Sequence, residues 1–406
     1  MGGVPVPHPP EVSDVRSPAP FEDVVSTRRA VRSGGSADLL SSTELLAVPF
    51  AERPTGQPSR RVAAAGVLLA LVVAAAALLW AKWLPYEAKI TTLSGTHTWS
   101  GSSVLAVGDV HPGDAPSWHA ATTFFSTYLQ AIWKALVAAL LISAAVQAFV
   151  RRSWLLRLLN RPGRLRSAAV GGLVSTPTMM CTCCTAPVAA TLRRDGVSPA
   201  AALAYWLGNP LLNPAVIVFL ALVAPWQWTV TRVVVGVVVV VGGSALVARF
   251  TARDEIPVQQ VTGADETPAA DWFATAPERF VRTLARLALT LVPEYLVVVL
   301  AIGAFRGWLF PLGGSTVHSG VLVVVVAAVV GTLLVIPTGG EIPVLQALAL
   351  AGVSLGGIGA LLLTLPAVSL PGMAMVGRAF GWRTTLAAAA TVAVGGVVAG
   401  VVLSSL

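Results

Sequence analysis

Residues Pro177–Pro187 read PTMMCTCCTAP, and this stretch holds every cysteine of the 406-residue chain: Cys181, Cys183 and Cys184. Two of the five methionines, Met180 among them, lie in the same eleven residues. Apolar sequence flanks the stretch on both sides, and a proline stands at each end. Thiolate and thioether sulfurs are soft ligands, so soft donor atoms are concentrated where prolines interrupt an apolar region.

The composition indicates a membrane protein. Hydrophobic residues make up 55% of the chain and charged residues 11%, with a mean hydropathy of +0.77. Soluble proteins carry roughly 25% charged residues. The net charge of +8 comes with no basic run interleaved with aromatic residues, so we exclude nucleic acid and expect membrane lipid as a partner. Three cysteines within four residues also exclude a disulfide framework.

Long apolar runs predict about seven spanning helices, because a helix needs about 20 mostly apolar residues to cross a bilayer. The runs are 62–81, 124–150, 199–223, 229–248, 280–305, 355–376 and 384–403. The first belongs to an extra N-terminal span, 61–84. Residues 1–60 are rich in Pro, Ser, Gly and Arg and predict a disordered cytoplasmic tail. The polar residues 251–279 predict a cytoplasmic linker.

Two further apolar segments are broken and predict re-entrant hairpins. Residues 151–166 hold six arginines, which indicates a cytoplasmic loop by the positive-inside rule. If residues 167–192 crossed the membrane, seven later arginines would lie outside, whereas a hairpin that enters and returns places all seven inside. Non-helical backbone is tolerated at membrane depth where protein covers it. The second break is PTGGEIP at Pro337–Pro343, within the apolar segment 321–350.

The two breaks are related in sequence at an offset of 156 residues. Pro187 aligns with Pro343, and the Gly-Val-Ser turn 196–198 aligns with 352–354, among ten identities over positions 187–226. The predicted topology gives the two copies opposite orientations, and inverted repeats with broken helices are a common transporter architecture. We therefore predict an all-α polytopic membrane protein with about seven spanning helices and two re-entrant broken-helix hairpins, arranged as an inverted repeat.

The motif CTCCTAP, followed by RRDGVSPAAALAYWLGNPLLNP over residues 193–214, resembles the predicted permease family that includes the organoarsenical efflux permeases. In the second half, PTGGEIP, LPAVSLP and FGWR are similar to the matching half of that family. The resemblance covers roughly residues 120–403 and makes residues 120–250 and 280–406 the two permease repeats. It implies a multi-pass membrane permease with a cysteine-containing first motif, and it implies efflux.

The predicted substrate site consists of sulfur ligands and amides at or after the first break: Cys181, Cys183, Cys184, Met180, Asn209 and Asn213. Three thiols are too few for a closed zinc site, and they suit a trivalent organoarsenical or a soft metal such as Cu(I). The cysteines do not share a face of a regular helix, so we expect unwound backbone between the prolines to bring them together. The alternative is that the cysteines only pack as small apolar side chains in the membrane-spanning core.

Two carboxylates in apolar segments are candidates for proton coupling. Glu341 lies in the second break, and Glu294 lies near the centre of the predicted span 280–305. A charge at membrane depth costs at least about 2.5 kcal/mol on insertion scales, so such residues indicate function. A hydrogen-bonded packing role is the alternative for both.

These features predict a secondary transporter that exports a small thiophilic solute across the cell membrane (plasma or inner), with a cytoplasmic N-terminus. An intramembrane thiol redox enzyme and an uptake permease for a sulfur-containing solute are the alternatives. The chain has no Gly-x-x-x-x-Gly-Lys motif, so ATP does not drive it directly. We expect no enzymatic activity and no cofactor, and a homo-oligomer is among the states left open.

Overall fold

A computed structural model describes residues 60–99, 107–111, 113–251, 274–309, 321–334 and 336–406. The predicted tail up to residue 59, residues 252–273 of the predicted linker and the loop 310–320 lie outside the described residues. Within the described ranges the regular structure is helical and no strand occurs, which confirms the all-α prediction.

The helices of the first half carry both the cysteines and the extra N-terminal span. In chain order they are α1 (Arg60–Leu78), α2 (Leu84–Thr96), α3 (Trp118–Phe149), α4 (Arg152–Leu159), α5 (Arg164–Ser175), α6 (Thr182–Arg194), α7 (Pro199–Leu211), α8 (Pro214–Val223), α9 (Trp226–Val237) and α10 (Ser244–Phe250). Two π-helical turns, Leu79–Trp83 and Val238–Gly243, join α1 to α2 and α9 to α10.

The helices of the second half run from a long helix through two short ones to a bent pair and a closing helix. They are α11 (Ala276–Leu309), α12 (Val321–Leu333), α13 (Glu341–Leu350), α14 (Leu355–Ala367), α15 (Leu370–Phe380) and α16 (Trp382–Ser405). The inverted orientation of the two halves stays a prediction.

Six helical segments in the described chain are long and apolar enough to cross a membrane: Ala64–Thr96, Trp118–Phe149, Pro199–Val223, Trp226–Phe250, Ala276–Trp308 and Trp382–Ser405. The pair α14 and α15, which is bent by 53°, is a seventh span if its two helices cross as one unit. Exposed tryptophans mark several ends of these segments, as in the aromatic belts of membrane proteins: Trp118, Trp226, Trp308 and Trp382. The prediction of about seven spanning helices is therefore confirmed.

The first span differs from its prediction in length and in the position of one lysine. The π-helical turn Leu79–Trp83 lets the helix continue to Thr96, twelve residues beyond the predicted end at residue 84. We expect Lys82, just after an apolar run, to be an interfacial anchor by its sequence position. That interpretation is wrong, because the side chain of Lys82 is only 7% exposed.

Short helices flank both breaks in the chain. The first break, residues 176–181, separates α5 from α6, and the second break, residues 334–340, separates α12 from α13. At 1.5 Å per residue these helices are about 15–20 Å long, which is too short for a bilayer core of about 30 Å. Among its described residues, each break has one with left-handed backbone, Met179 (φ 49°) and Gly339 (φ 86°). Glycine adopts this conformation freely, and methionine does so at a cost of roughly 1–2 kcal/mol.

The turns that follow the two hairpins have the same local structure. Gly196 and Gly352 both have positive φ, and the following valine donates its N–H to the carbonyl oxygen four residues before that glycine, at 3.0 Å in each turn. Ser198 then caps α7 and Ser354 caps α14, each through its hydroxyl oxygen. These positions correspond at the predicted offset, so the sequence repeat is reproduced as a repeated turn.

Three short helices form the centre of the bundle. In α6, α7 and α14, all residues but one at an end are buried, so these helices have no face toward lipid. Peripheral helices instead expose large apolar side chains: Leu71 in α1, Leu289 in α11 and Val401 in α16. The first break therefore opens onto the most enclosed part of the protein.

Candidate functional site

The three cysteines form a buried cluster, the thiol cluster, at the start of α6. Cys181 is the N-cap residue of α6, and Cys183 and Cys184 lie in its first turn. The Sγ atom of Cys181 lies 3.1 Å from that of Cys183 and 3.0 Å from that of Cys184, and the last two are 4.0 Å apart. All three thiols are free and buried. Their sulfur atoms lie within 4.8 Å of one another, so one small centre fits against all three.

The expectation that unwound backbone brings the cysteines together is wrong. The break ends at Cys181, and Pro187 lies inside α6 rather than at the end of the break. Cys181 has extended backbone as the N-cap, and Cys183 and Cys184 lie in the first turn of the regular helix, so the start of α6 brings the sulfurs together. The positive end of the α6 dipole also favours negative charge on the sulfurs.

A thiol cluster of this kind suits a trivalent soft centre. The thiolate is the form that binds, so ligand binding releases the thiol protons. A closed tetrahedral zinc site needs a fourth ligand, and no described histidine or carboxylate joins the three sulfurs. A three-coordinate ligand therefore matches the donor set better than a structural zinc ion.

Asn209 connects the first break to α7. Its Oδ1 atom accepts a hydrogen bond from the backbone N–H of Met180 at 3.2 Å and a second, short one from the hydroxyl of Thr178. Its Nδ2 atom donates to the carbonyl of Tyr205 at 3.3 Å. Both the Asn209 and Met180 side chains are fully buried, so this one amide fixes the backbone that leads into the thiol cluster.

Aromatic side chains from both halves surround the cluster. The hydroxyl of Tyr128, in α3, lies 3.6 Å from Cys183 Sγ, and the hydroxyl of Tyr295, in α11, lies 3.9 Å from the same sulfur. The indole N–H of Trp206 donates to the carbonyl of Thr182 at 3.1 Å. The cluster thus has two tyrosine hydroxyl groups beside the Sγ atom of Cys183.

Glu341 forms a buried ion pair with Arg232. Both Nη atoms of Arg232 lie 3.1 Å from Glu341 Oε1, and the two side chains are 0% and 1% exposed. Arg232 also donates to the carbonyl oxygens of Leu211 and Pro210, at 3.2 and 2.8 Å. The Pro210 carbonyl lacks a helical donor because Pro214, four residues on, has no N–H. The ion pair therefore joins the end of α7 to the start of α13.

The remaining predicted residues lie apart from the sulfurs. Asn213 caps α8, because its Oδ1 accepts the N–H groups of residues 215 and 216, while its Nδ2 has no hydrogen-bond partner among the described residues. Glu294 is 20% exposed and lies 3.5 Å from Arg378, which is mostly exposed. The structure thus brings Met180 and Asn209 together in the first break and leaves Asn213, Glu294 and Glu341 in other contacts.

The comparison with known proteins gives the chain its family. A model of the predicted permease family ArsP_1 matches residues 117–405. The chain belongs to this permease family. The permease is also 41% identical over 332 residues to UPF0718 protein YraQ of Escherichia coli (strain K12), an alignment that covers 82% of this chain and 93% of YraQ. No solved structure matches it. The permease is a multi-pass integral membrane protein, as the resemblance of its motifs implies.

Several residues at the site of the permease were missed from the sequence. Arg232 lies within the predicted span 229–248, and an arginine inside an apolar run was the signal that could have marked it as buried and paired. Tyr128 and Tyr295 lie within apolar runs, where a tyrosine reads as core. Lys82 lies outside the residues that the family model matches, yet it is close enough to Cys181 and Cys184 to interact with them electrostatically.

Proposed function

We propose that this permease is a secondary transporter that exports a small thiophilic solute across the cell membrane, with its N-terminus in the cytoplasm. The observation that carries the proposal is the thiol cluster: three free, buried sulfurs within 4.8 Å at the start of a central helix. Trivalent organoarsenicals and soft metals such as Cu(I) are the ligands that such sulfurs prefer. The direction of transport rests on the family resemblance.

Binding exchanges the ligands of the soft centre. For a monosubstituted arsenical with two hydroxyl ligands, two thiols form two S–As bonds, and each thiol proton leaves with a hydroxide as water. The third thiol then stands within 3.0–4.0 Å of the other two and can replace one of them, which provides a route for release. No change in oxidation state is needed, so the proposal describes a transporter rather than an enzyme.

Coupling to protons is proposed at two carboxylates, the buried Glu341 and the partly exposed Glu294. Glu341 exchanges a proton when its ion pair with Arg232 opens, and Glu294 does so when it leaves Arg378. The Arg232 pair links α9 to α13, so opening it lets one permease repeat move against the other. Rocking of the two repeats, arranged as an inverted pair around the thiol cluster, gives alternating access.

A thiol redox function is the second candidate. It is favoured by the 3.0–3.1 Å distances from Cys181 Sγ to two other sulfurs. Forming a disulfide from two thiols releases two protons and two electrons, which a quinone or a partner thiol–disulfide protein would accept. Loss of two hydrogens in the intact mass under such an oxidant supports this candidate. Solute flux through the purified protein alone counts against it.

The test is a flux assay with the purified permease in liposomes, using phenylarsine oxide and Cu(I) as probes and metal analysis as the readout. The variant Cys183→Ser/Cys184→Ser leaves one thiol and is expected to lower flux to that of protein-free liposomes. Met375→Leu is the matched control, because it removes a buried sulfur outside the cluster with little change in volume. Unchanged flux in the double cysteine variant contradicts the sulfur site. If the wild-type permease transports neither probe, the proposed function is contradicted.

A further inference from the structure

A second polar site surrounds Lys82 and Lys134. A partly enclosed cavity of about 260 Å³, the lysine cavity, lies between the π-helical turn at residues 79–83, helix α3 and the second break. Its polar lining comes from five side chains: Lys82, Tyr86, Gln130, Lys134 and Thr338. Three separate parts of the chain therefore meet around it.

The charge around this cavity is positive. The Nζ atom of Lys82 donates a hydrogen bond to the hydroxyl of Tyr86 at 3.0 Å, and Lys82 is only 7% exposed. Lys134 lies 5.8 Å from the ring centres of Trp80 and Trp133. Across the described residues, no carboxylate lies within ion-pair distance of either lysine. Lys134 is exposed and Lys82 is buried, and a buried ammonium group without a carboxylate partner favours a bound negative charge.

The neutral groups of the cavity are suited to an anion as well. Gln130 brings an amide with two donors, and Thr338 brings a hydroxyl. The Thr338 Oγ1 atom is buried and has no hydrogen-bond partner among the described residues. Buried polar atoms are normally paired, so a free hydroxyl at the cavity wall is an observation independent of the two lysines that also indicates a ligand.

Lys82 belongs to both sites. It lines the cavity, and it is close enough to Cys181 and Cys184 to interact with them electrostatically. The π-helical turn places it there, and such turns often occur at functional sites. Lys82 precedes residues 117–405, which the family model matches, so this lysine is contributed by the extra N-terminal span.

We propose that the lysine cavity binds the anionic group of the solute whose soft centre the thiol cluster takes. The substrate class is then a small thiophilic anion, such as an arsenical that carries a carboxylate, rather than any soft centre. This inference rests on the proposed function and narrows it. Lys82 is the specificity-determining residue, Lys134 adds the second charge, and Gln130 and Thr338 donate hydrogen bonds.

The test compares two probes that share an arsenic(III) centre and differ in charge: 4-carboxyphenylarsine oxide and neutral phenylarsine oxide. Dissociation constants are measured on the full chain in lipid nanodiscs. We expect the wild type to bind the carboxylated probe about tenfold more tightly than the neutral one, which is the effect of one partly buried charge pair. Lys82→Gln and Lys134→Gln reduce this preference and leave the affinity for the neutral probe unchanged.

Lys89→Gln is the matched control, because Lys89 lies on α2 outside the cavity, against Trp99. Benzoate competition on the wild type gives a second readout that needs no variant: it displaces the carboxylated probe and not the neutral one. Equal affinities for the two probes, or a charge preference that survives Lys82→Gln, overturn the inference and leave the proposed function standing. Binding of neither probe overturns both.

Discussion

The two breaks of the permease occupy equivalent places and hold opposite chemistry. At the 156-residue offset, CTCCTAP at Cys181–Pro187 stands against PTGGEIP at Pro337–Pro343. The threonine and the last proline are shared, whereas glycines replace Cys183 and Cys184, and Glu341 replaces Thr185. The first break buries three soft donors, and the second buries a carboxylate that is paired with an arginine.

The contacts of the two breaks are nevertheless reciprocal. Thr182, after the first break, donates its hydroxyl to the carbonyl of Pro366 at the end of α14. Glu341, after the second break, reaches the carbonyl of Pro210 at the end of α7 through Arg232. Pro210 and Pro366 are equivalent positions of the two halves. The two halves therefore share a scaffold, on which one half carries the thiol cluster and the other carries the carboxylate of a buried ion pair.

Removal of the charge in the second break is expected to have the largest effect on stability. Glu341→Leu leaves the buried Arg232 without a counter-ion, and breaking a buried pair in this way costs about 3–5 kcal/mol. The double variant Arg232→Leu/Glu341→Leu is expected to regain most of that loss, because no charge stays buried. Thermal and denaturant unfolding in detergent measure both. If the single variant is as stable as the double variant, the unpaired Arg232 charge is not the cause of the loss.

Substitution of Asn209 tests the first break. Asn209→Leu installs the residue found at the equivalent position 365 and leaves the N–H of Met180 without its acceptor, at a cost of about 1–3 kcal/mol. Affinity for phenylarsine oxide is expected to fall together with stability. Asn213→Ser, which copies Ser369 of the second half and retains a capping side chain, is the control. Equal losses in the two variants would remove Asn209 from the site.

The two helix caps are expected to contribute equally. Ser198→Ala and Ser354→Ala each remove one capping hydroxyl, at about 1 kcal/mol apiece. Denaturant midpoints of the single and double variants measure the costs and their additivity. A cost confined to one turn would end the equivalence of the two turns.

The smallest expected effect is a pH dependence of stability that arises in the first turn and not in the second. Burial raises the pKa of Asp195 to about 6, although Arg152 and Arg194 act against it, and the equivalent position 351 is alanine. A raised pKa means that the folded state binds the proton more tightly, so stability rises as the pH falls from about 7 to about 5. The gain is roughly 0.5–1 kcal/mol after solvent screening. Asp195→Ala is expected to flatten this part of the pH profile, and an unchanged profile would assign the effect to another group.

The spans and both breaks were predictable because each has a local signal. Apolar runs of about 20 residues, arginine-rich loops and aligned prolines do not depend on tertiary contacts. The Gly-Val-Ser turns were predictable for the same reason, since glycine at positive φ and a serine cap are set by a few neighbouring residues. The thiol cluster was predictable as a group, because all of its members lie within four residues.

Long-range pairing was not predictable from the chain. Arg232 and Glu341 are 109 residues apart and lie in different halves, and neither has a local feature that names the other. Lys82 was misread because the end of an apolar run resembles a membrane interface, whereas a π-helical turn directs this side chain inward. Pro187 was taken as the end of a break and lies within α6, so the helical position of the sulfurs was missed.

The confinement of every sulfhydryl to one cluster has a practical consequence. A thiol-selective reagent can react with this permease only at the thiol cluster. A titration that consumes three equivalents of reagent therefore measures these three thiols and no others. Occupancy by a soft ligand then appears directly as equivalents withheld from the reagent. Replacing these same three residues also yields a sulfhydryl-free chain, in which one new cysteine on any helix becomes a unique label for following motion.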